Sequence, residues 1–207
     1  MRKVEVYKEL ETVPGTTNYI IAPGRQFSIG HNLAMAQNQS YGLSPMSQLN
    51  VIAGAMIHYA TKGQLVVTGN EKAGFTKGAA MLLASQFPEI NPFYDTESPT
   101  TLASAINLST LFKEIICNSG IVDIVITSDE PQANRLADMF RDRDVPVRGI
   151  AVAHRIVAQS QSPECQDLVK SYRYDKWRYL ESAKQIGLRL IDPHGTRLES
   201  LAQNARP

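Results

Sequence analysis

Cysteine is nearly absent: Cys117 and Cys165 are the only two in 207 residues, and no CxxC pair or His/Cys ligand spacing accompanies them. A disulfide framework and a structural or catalytic metal site are therefore not expected, and no metal cofactor is implied. Cys117 follows Ile115 and Ile116, so buried free thiols are the expectation. An excess of charge is also missing, since 21 Lys and Arg face 20 Asp and Glu. No broad attraction to nucleic acid or to an anionic membrane follows. Long apolar runs are lacking too. Nothing approaches the ~20 residues of a membrane span, and residues 1–15 hold no apolar signal core. The expectation is a soluble, cytoplasmic protein with neither a nucleic-acid nor a membrane partner, its oligomeric state left open. Neither GxGxxG nor GxSxG occurs, which removes the dinucleotide fingerprint and the nucleophile elbow.

What the chain does contain is an alternation of short apolar runs with helix starts. Residues 121–135, IVDIVITSDEPQANR, set the pattern. Ile121, Val122, Ile124, Val125 and Ile126 are β-branched and short, as in a parallel strand covered on both faces. Thr127, Ser128 and Asp129 stand where the strand stops. Ser128 or Asp129 can cap the following helix, and Pro131 suits its first turn. Freed backbone N–H groups at such a turn favour an anion or a polar ligand.

The same arrangement recurs along the chain. Residues 18–22 (NYIIA) read as a strand ending at Pro23, Gly24 and Arg25; residues 64–67 end in Thr68, Gly69, Asn70 and Glu71. A glycine there lets backbone approach a ligand, and Arg25 can hold an anion. Ser44-Pro45 opens a helix to Gly63 with Leu49, Ile52, Ala53, Met56 and Tyr59 inward, and Thr76 caps another to Phe87. A short extended piece at 91–94 precedes Asp95, Ser98 and Thr101, and a helix then runs to 118. Residues 131–143 form a helix, 145–152 a strand with His154 just beyond it, 163–186 a long helix ended by Gly187, and 188–191 a last strand. Thr196 and Glu199 make a capping box for a terminal helix. Residues 3–10 could add an edge strand, and 26–43 read as a long polar loop.

These elements predict one α/β domain over 1–207: a three-layer α/β/α, Rossmann-like, doubly wound and mostly parallel sheet. Residues 1–17 are a lead-in, and 158–207 a helix-strand-helix extension packed on it. In such sheets the ligand lies outside the carboxyl ends of the strands, so these turns converge on one edge.

In order and spacing, IIAPGR, VVTGN, the Asp95-Ser98-Thr101 helix start and VITSD with Arg135 and Phe140 downstream resemble the YdcF, SanA and ElyC-like proteins of bacteria. The resemblance covers about residues 18–152. It implies a Rossmann-like fold with a polar pocket at the strand ends. One soluble member is linked with S-adenosylmethionine and others with cell-envelope integrity. This chain departs from the family pattern at Glu130-Pro131, where an aromatic and a histidine usually stand, and at Gln48, Asn70, Lys77 and Ser104.

The candidate ligand-binding residues are Gly24, Arg25, Thr68, Gly69, Asn70, Asp95, Ser98, Thr101, Thr127, Ser128 and Arg135. Each hydroxyl or carboxylate has an alternative role as a helix cap or turn former, and Arg135 as a surface partner of Asp138 or Glu130. His154, oriented by Asp129, would be a general base titrating near neutrality, with His194 a similar alternative; a solvent-facing loop histidine is the plainer expectation for each. Three functions remain open. They are binding of a nucleotide-like or adenosyl small molecule such as S-adenosylmethionine, with group transfer; a non-catalytic ligand-responsive or scaffolding role; and a hydrolase or transferase using His154 as base.

Overall fold

In a computed structural model, the chain is described over residues 17–24, 40–69, 74–98, 100–119, 122–174 and 176–192. The expectations for residues 3–10, for most of the loop 26–43 and for the terminal capping box lie outside these. Five strands are described: β1 Thr17–Pro23, β2 Gln64–Thr68, β3 Phe93–Asp95, β4 Val122–Ser128 and β5 Gly149–Val152. All pair in parallel, in the order β3-β2-β1-β4-β5. The helices are α1 Pro45–Thr61, α2 Phe75–Gln86, α3 Thr101–Ser119, α4 Glu130–Arg141, α5 Ala153–Val157, α6 Pro163–Tyr174 and α7 Lys176–Ile191. This is the three-layer, Rossmann-like α/β fold that the alternation of elements predicts.

The strands bury both faces, so neighbouring residues feed different cores. Ile20, Ala22, Leu65, Val67 and Val125 face α1, α2, α5 and α6. Ile21, Val66, Ile124 and Ile126 face α3 and α4. Helices on both faces follow from right-handed crossovers: the chain moves outward from β1 through β2 to β3, then returns across β1 to β4 and β5.

The central helix α1 is capped by Ser44, whose hydroxyl accepts from the Ser47 N–H at 3.2 Å, and Pro45 fits its first turn. It ends with Lys62 in the left-handed conformation at φ 59°, so the helix stops one residue before the glycine expected to end it. Buried residues run from Pro45 to Ala55 without interruption, because α1 packs between the sheet, α2, α5 and α6. Tyr59 corrects the expectation of a buried stripe, since it lies beyond this packed stretch and is exposed. Gly74, not Thr76, is the N-cap of α2, and Thr76 is buried in its first turn.

The C-terminal third departs further. Residues 188–191 are not a strand: α7 continues as helix through Gly187 to Ile191. Leu190 and Ile191 are 80 % and 67 % exposed, and no open sheet edge receives them, so their apolar run has no second face to bury. Instead Arg189 grips Asp138 of α4 at 2.8 Å, and Leu and Arg are good helix formers. The expected single helix over 163–186 is two, α6 and α7. β5 is shorter than expected because Pro146 has no N–H to donate to a ladder; regular pairing begins at Gly149. Cys117 is exposed on α3 and Cys165 half-buried, correcting the expectation of buried thiols. Among the described residues, no helix is long and apolar enough to cross a membrane.

Candidate functional site

Register aligns the strand ends into one row. Pro23 pairs with Thr68 and Thr68 with Asp95 on one side; Ile21 pairs with Ile126 and Ser128 with Val152 on the other. Asp95, Thr68, Pro23, Ser128 and Val152 thus lie at the same level across the sheet. The strand order reverses between β1 and β4, because α1 leaves β1 on one face and α4 leaves β4 on the other. In doubly wound folds a crevice opens at such a point, and ligands lie there.

Two buried polar networks flank it. The first is at the ends of β2 and β3. Thr68 Oγ1 donates to Asp95 Oδ2 at 2.6 Å and lies 2.8 Å from Ser104 Oγ. The Ser98 hydroxyl donates to the same carboxylate oxygen and accepts from Asn107 Nδ2 at 3.0 Å. Asp95 Oδ1 accepts from the Glu97 N–H at 3.3 Å. A carboxylate only 8 % exposed is thereby solvated by hydroxyl and amide donors in place of water. Thr101, the first residue of α3, is half-buried beside this network.

The second network spans the β1–β4 crevice itself. Asn50 of α1 donates through Nδ2 to the Pro23 carbonyl at 2.7 Å and to Ser128 Oγ at 3.3 Å. Ser128 Oγ donates to Gln132 Oε1 at 2.7 Å, and Gln132 Nε2 reaches the Gly24 carbonyl at 3.5 Å. Thr127 Oγ1 lies 3.0 Å from the Asn50 carbonyl and 3.2 Å from that of Ile21. Two helices and two strand ends are therefore tied together by side chains that are all buried. Asp129, 2 % exposed and 3.4 Å from Ser128 Oγ, is the N-cap of α4, yet its side chain makes no capping bond to the helix backbone.

Gly24 and Gly69 meet an aromatic ring. A Cβ at Gly24 would lie 2.7 Å from the Phe75 ring, and one at Gly69 2.4 Å from it. Both glycines also donate backbone N–H groups sideways, Gly24 to the Thr68 carbonyl at 2.7 Å and Gly69 to that of Asp95 at 3.1 Å. Phe75, the first residue of α2, covers both strand ends, so close approach there is by a side chain of the same chain.

Arg135 is not a surface residue. It is 3 % exposed on α4, its pKa lowered by desolvation and pulled back up by Asp192, which follows α7 and is itself buried. Together with the Arg189–Asp138 pair, this sets α7 antiparallel to α4 and brings the end of α7 towards the start of α4. His154 lies within the short α5, half-buried, its ring centroid 5.2 Å from that of Tyr172 on α6. Arg25, Asn70 and His194 lie outside the described residues. Among those described, no three His, Cys, Asp or Glu side chains gather as a metal-binding group.

The structure thus brings Thr127, Ser128, Asp129 and Gly24 to the crevice. It groups Thr68, Asp95 and Ser98 beside it, and sets Arg135 against α7 and His154 against α6. Asn50, Phe75, Ser104, Asn107 and Gln132 are absent from the sequence-derived candidates. Asn50 carried a signal: it is a lone amide within Leu49-Asn50-Val51-Ile52-Ala53, where a purely packing helix would place an apolar residue. Gln132 stands three residues after the N-cap Asp129, the capping-box spacing, which is a local signal for a side chain that folds back over the helix start. No family model, no curated protein and no solved structure matches the chain.

Proposed function

We propose that this chain is a YdcF-like protein that binds an adenosyl or similar nucleotide-like small molecule, of the S-adenosylmethionine type, at the carboxyl ends of its strands. The observation that carries this reading is the switch point between β1 and β4, where the strand order reverses and the Asn50–Ser128–Gln132–Gly24 network joins the two strand ends; in doubly wound folds ligands lie at such a point. The start of α4 points its first N–H groups at the same edge, which suits a carboxylate or phosphate on the ligand. Asp95 and its hydroxyl partners offer a polar flank for sugar hydroxyls. A cytoplasmic setting and group transfer from the bound molecule belong to the same proposal.

A second reading, ligand binding without chemistry, is favoured by one observation. The Ser128 hydroxyl is committed to Gln132 at 2.7 Å, with Asp129 Oδ1 the more distant acceptor at 3.4 Å, and Thr127 to main-chain carbonyls, so neither hydroxyl is arranged as an activated nucleophile. Pro131 stands where the related turn carries a histidine. General-base catalysis by His154 is the third reading, and it requires the ring to serve a substrate while packed on Tyr172.

Isothermal titration with S-adenosylmethionine, S-adenosylhomocysteine, ATP and NAD separates these. Saturable binding of an adenosyl ligand that is lost in Asp129→Ala supports the proposal. A folded protein that binds none of the four contradicts it. Turnover abolished by His154→Ala, with binding intact, would select the third reading.

A further inference from the structure

One oxygen of the Asn50–Ser128–Gln132 network has no hydrogen-bond donor among the described residues. Asn50 is 0 % exposed, and its amide orientation is fixed: the nitrogen must face the Pro23 carbonyl at 2.7 Å, because the reverse orientation would set two oxygens against each other. The side-chain oxygen, Oδ1, consequently points elsewhere, and among the described residues no donor reaches it. A buried carbonyl oxygen without a donor is rare in folded proteins and calls for an explanation, and a donor on a bound ligand is one. It sits between the ends of β1 and β4, where the proposed ligand would lie.

Two neighbours define the donor. The Asp129 carboxylate is 3.4 Å from Ser128 Oγ, which is itself bonded to Asn50, so the local charge favours a cationic donor over a neutral one. The opening turn of α4 favours an anion a few ångströms away. An amide and a carboxylate that both contact Ser128, at the start of a helix, match a zwitterion: an ammonium group on one side and a carboxylate on the other.

Resting on the adenosyl-binding reading, we propose that Asn50 is a specificity-determining residue whose side-chain oxygen accepts a hydrogen bond from the α-ammonium group of an amino-acid-bearing ligand. The carboxylate of the same head group meets the first turn of α4. Ligands with the adenosyl part but no amine leave Asn50 Oδ1 without a donor and bind more weakly.

The test compares S-adenosylhomocysteine with its deaminated analogue, in which hydrogen replaces the amine and the carboxylate is kept. Calorimetry on the full chain reads both dissociation constants. The wild-type protein is expected to favour the amine by about 10- to 100-fold, the worth of one buried charge-assisted hydrogen bond. That preference is expected to collapse in Asn50→Ala, with folding checked by circular dichroism; if this variant fails to fold, the near-isosteric Asn50→Leu replaces it. Equal affinity of the wild-type protein for both ligands overturns the assignment while leaving adenosyl binding standing. A preference that persists in the Asn50 variants also overturns it, since another group then reads the amine. Binding of neither ligand overturns this inference together with the reading on which it rests.

Discussion

Asp95 and Arg135 are two buried charges solved in different ways. Asp95 is surrounded by neutral donors from Thr68, Ser98 and the Glu97 backbone. Removing its carboxylate strands three donors away from water, so Asp95→Ala is expected to lower stability by about 2–3 kcal/mol in urea unfolding. Asp95→Asn keeps one acceptor oxygen and should cost less; equal stability of all three proteins would show that the network contributes nothing. Arg135 faces Asp192 across the α4–α7 contact, and desolvation already lowers its pKa. Arg135→Met leaves Asp192 buried without that cation, at an expected cost of about 3 kcal/mol. Adding Asp192→Leu should recover most of the loss, because neither charge is then buried alone. A double variant no better than the single one would mean that the two residues do not interact. From sequence Arg135 resembled a ligand clamp or a surface partner of Asp138. What decided its place was the antiparallel docking of α7, a long-range contact with no local signature.

Among the elements, α7 was the least legible. Leu188, Arg189, Leu190 and Ile191 follow a glycine and a helical stretch, a pattern that also suits a buried strand after a helix stop. Only the docking of α7 on α4, through Arg189 and Asp138, distinguishes the two. Gly187 provides the test, since a Cβ there meets nothing within 4 Å and the residue lies inside a helix. Gly187→Ala is expected to raise stability by about 0.5–1 kcal/mol, the helix-interior penalty of glycine. Destabilisation would indicate that the helix stops at this residue after all. Phe75 gives the opposite case. Gly69→Ala drives a methyl into its ring and should cost about 1–3 kcal/mol. The same change in a Phe75→Leu background should cost much less. If it costs the same, the glycine is required for a reason other than the ring.

At the scale of the whole molecule, strands β1, β2 and β4 were legible because each is a short β-branched run ending in turn residues, and their burial on both faces follows from parallel pairing. That the turns meet at one edge followed from a doubly wound sheet, but the order β3-β2-β1-β4-β5, and with it the β1–β4 switch point, was not legible in the sequence. The side-chain partners were not legible. Thr127, Ser128 and Asp129 are recognisable as strand-end residues, but that Ser128 would bond Gln132 and that Asn50 would bridge two strands depends on how α1 and α4 are seated over the sheet. Gly24 and Gly69 looked like openings for a ligand because Phe75 is six residues from one and more than fifty from the other. The central claim is that ligand occupies the β1–β4 crevice. The most direct measurement is a two-dimensional 15N NMR titration of the labelled full chain with S-adenosylhomocysteine. The account predicts saturable shifts concentrated at the Gly24 amide, the Asn50 side-chain NH2 and the Ser128 to Gln132 backbone. Shifts confined to other faces, or none at saturating ligand, would contradict it.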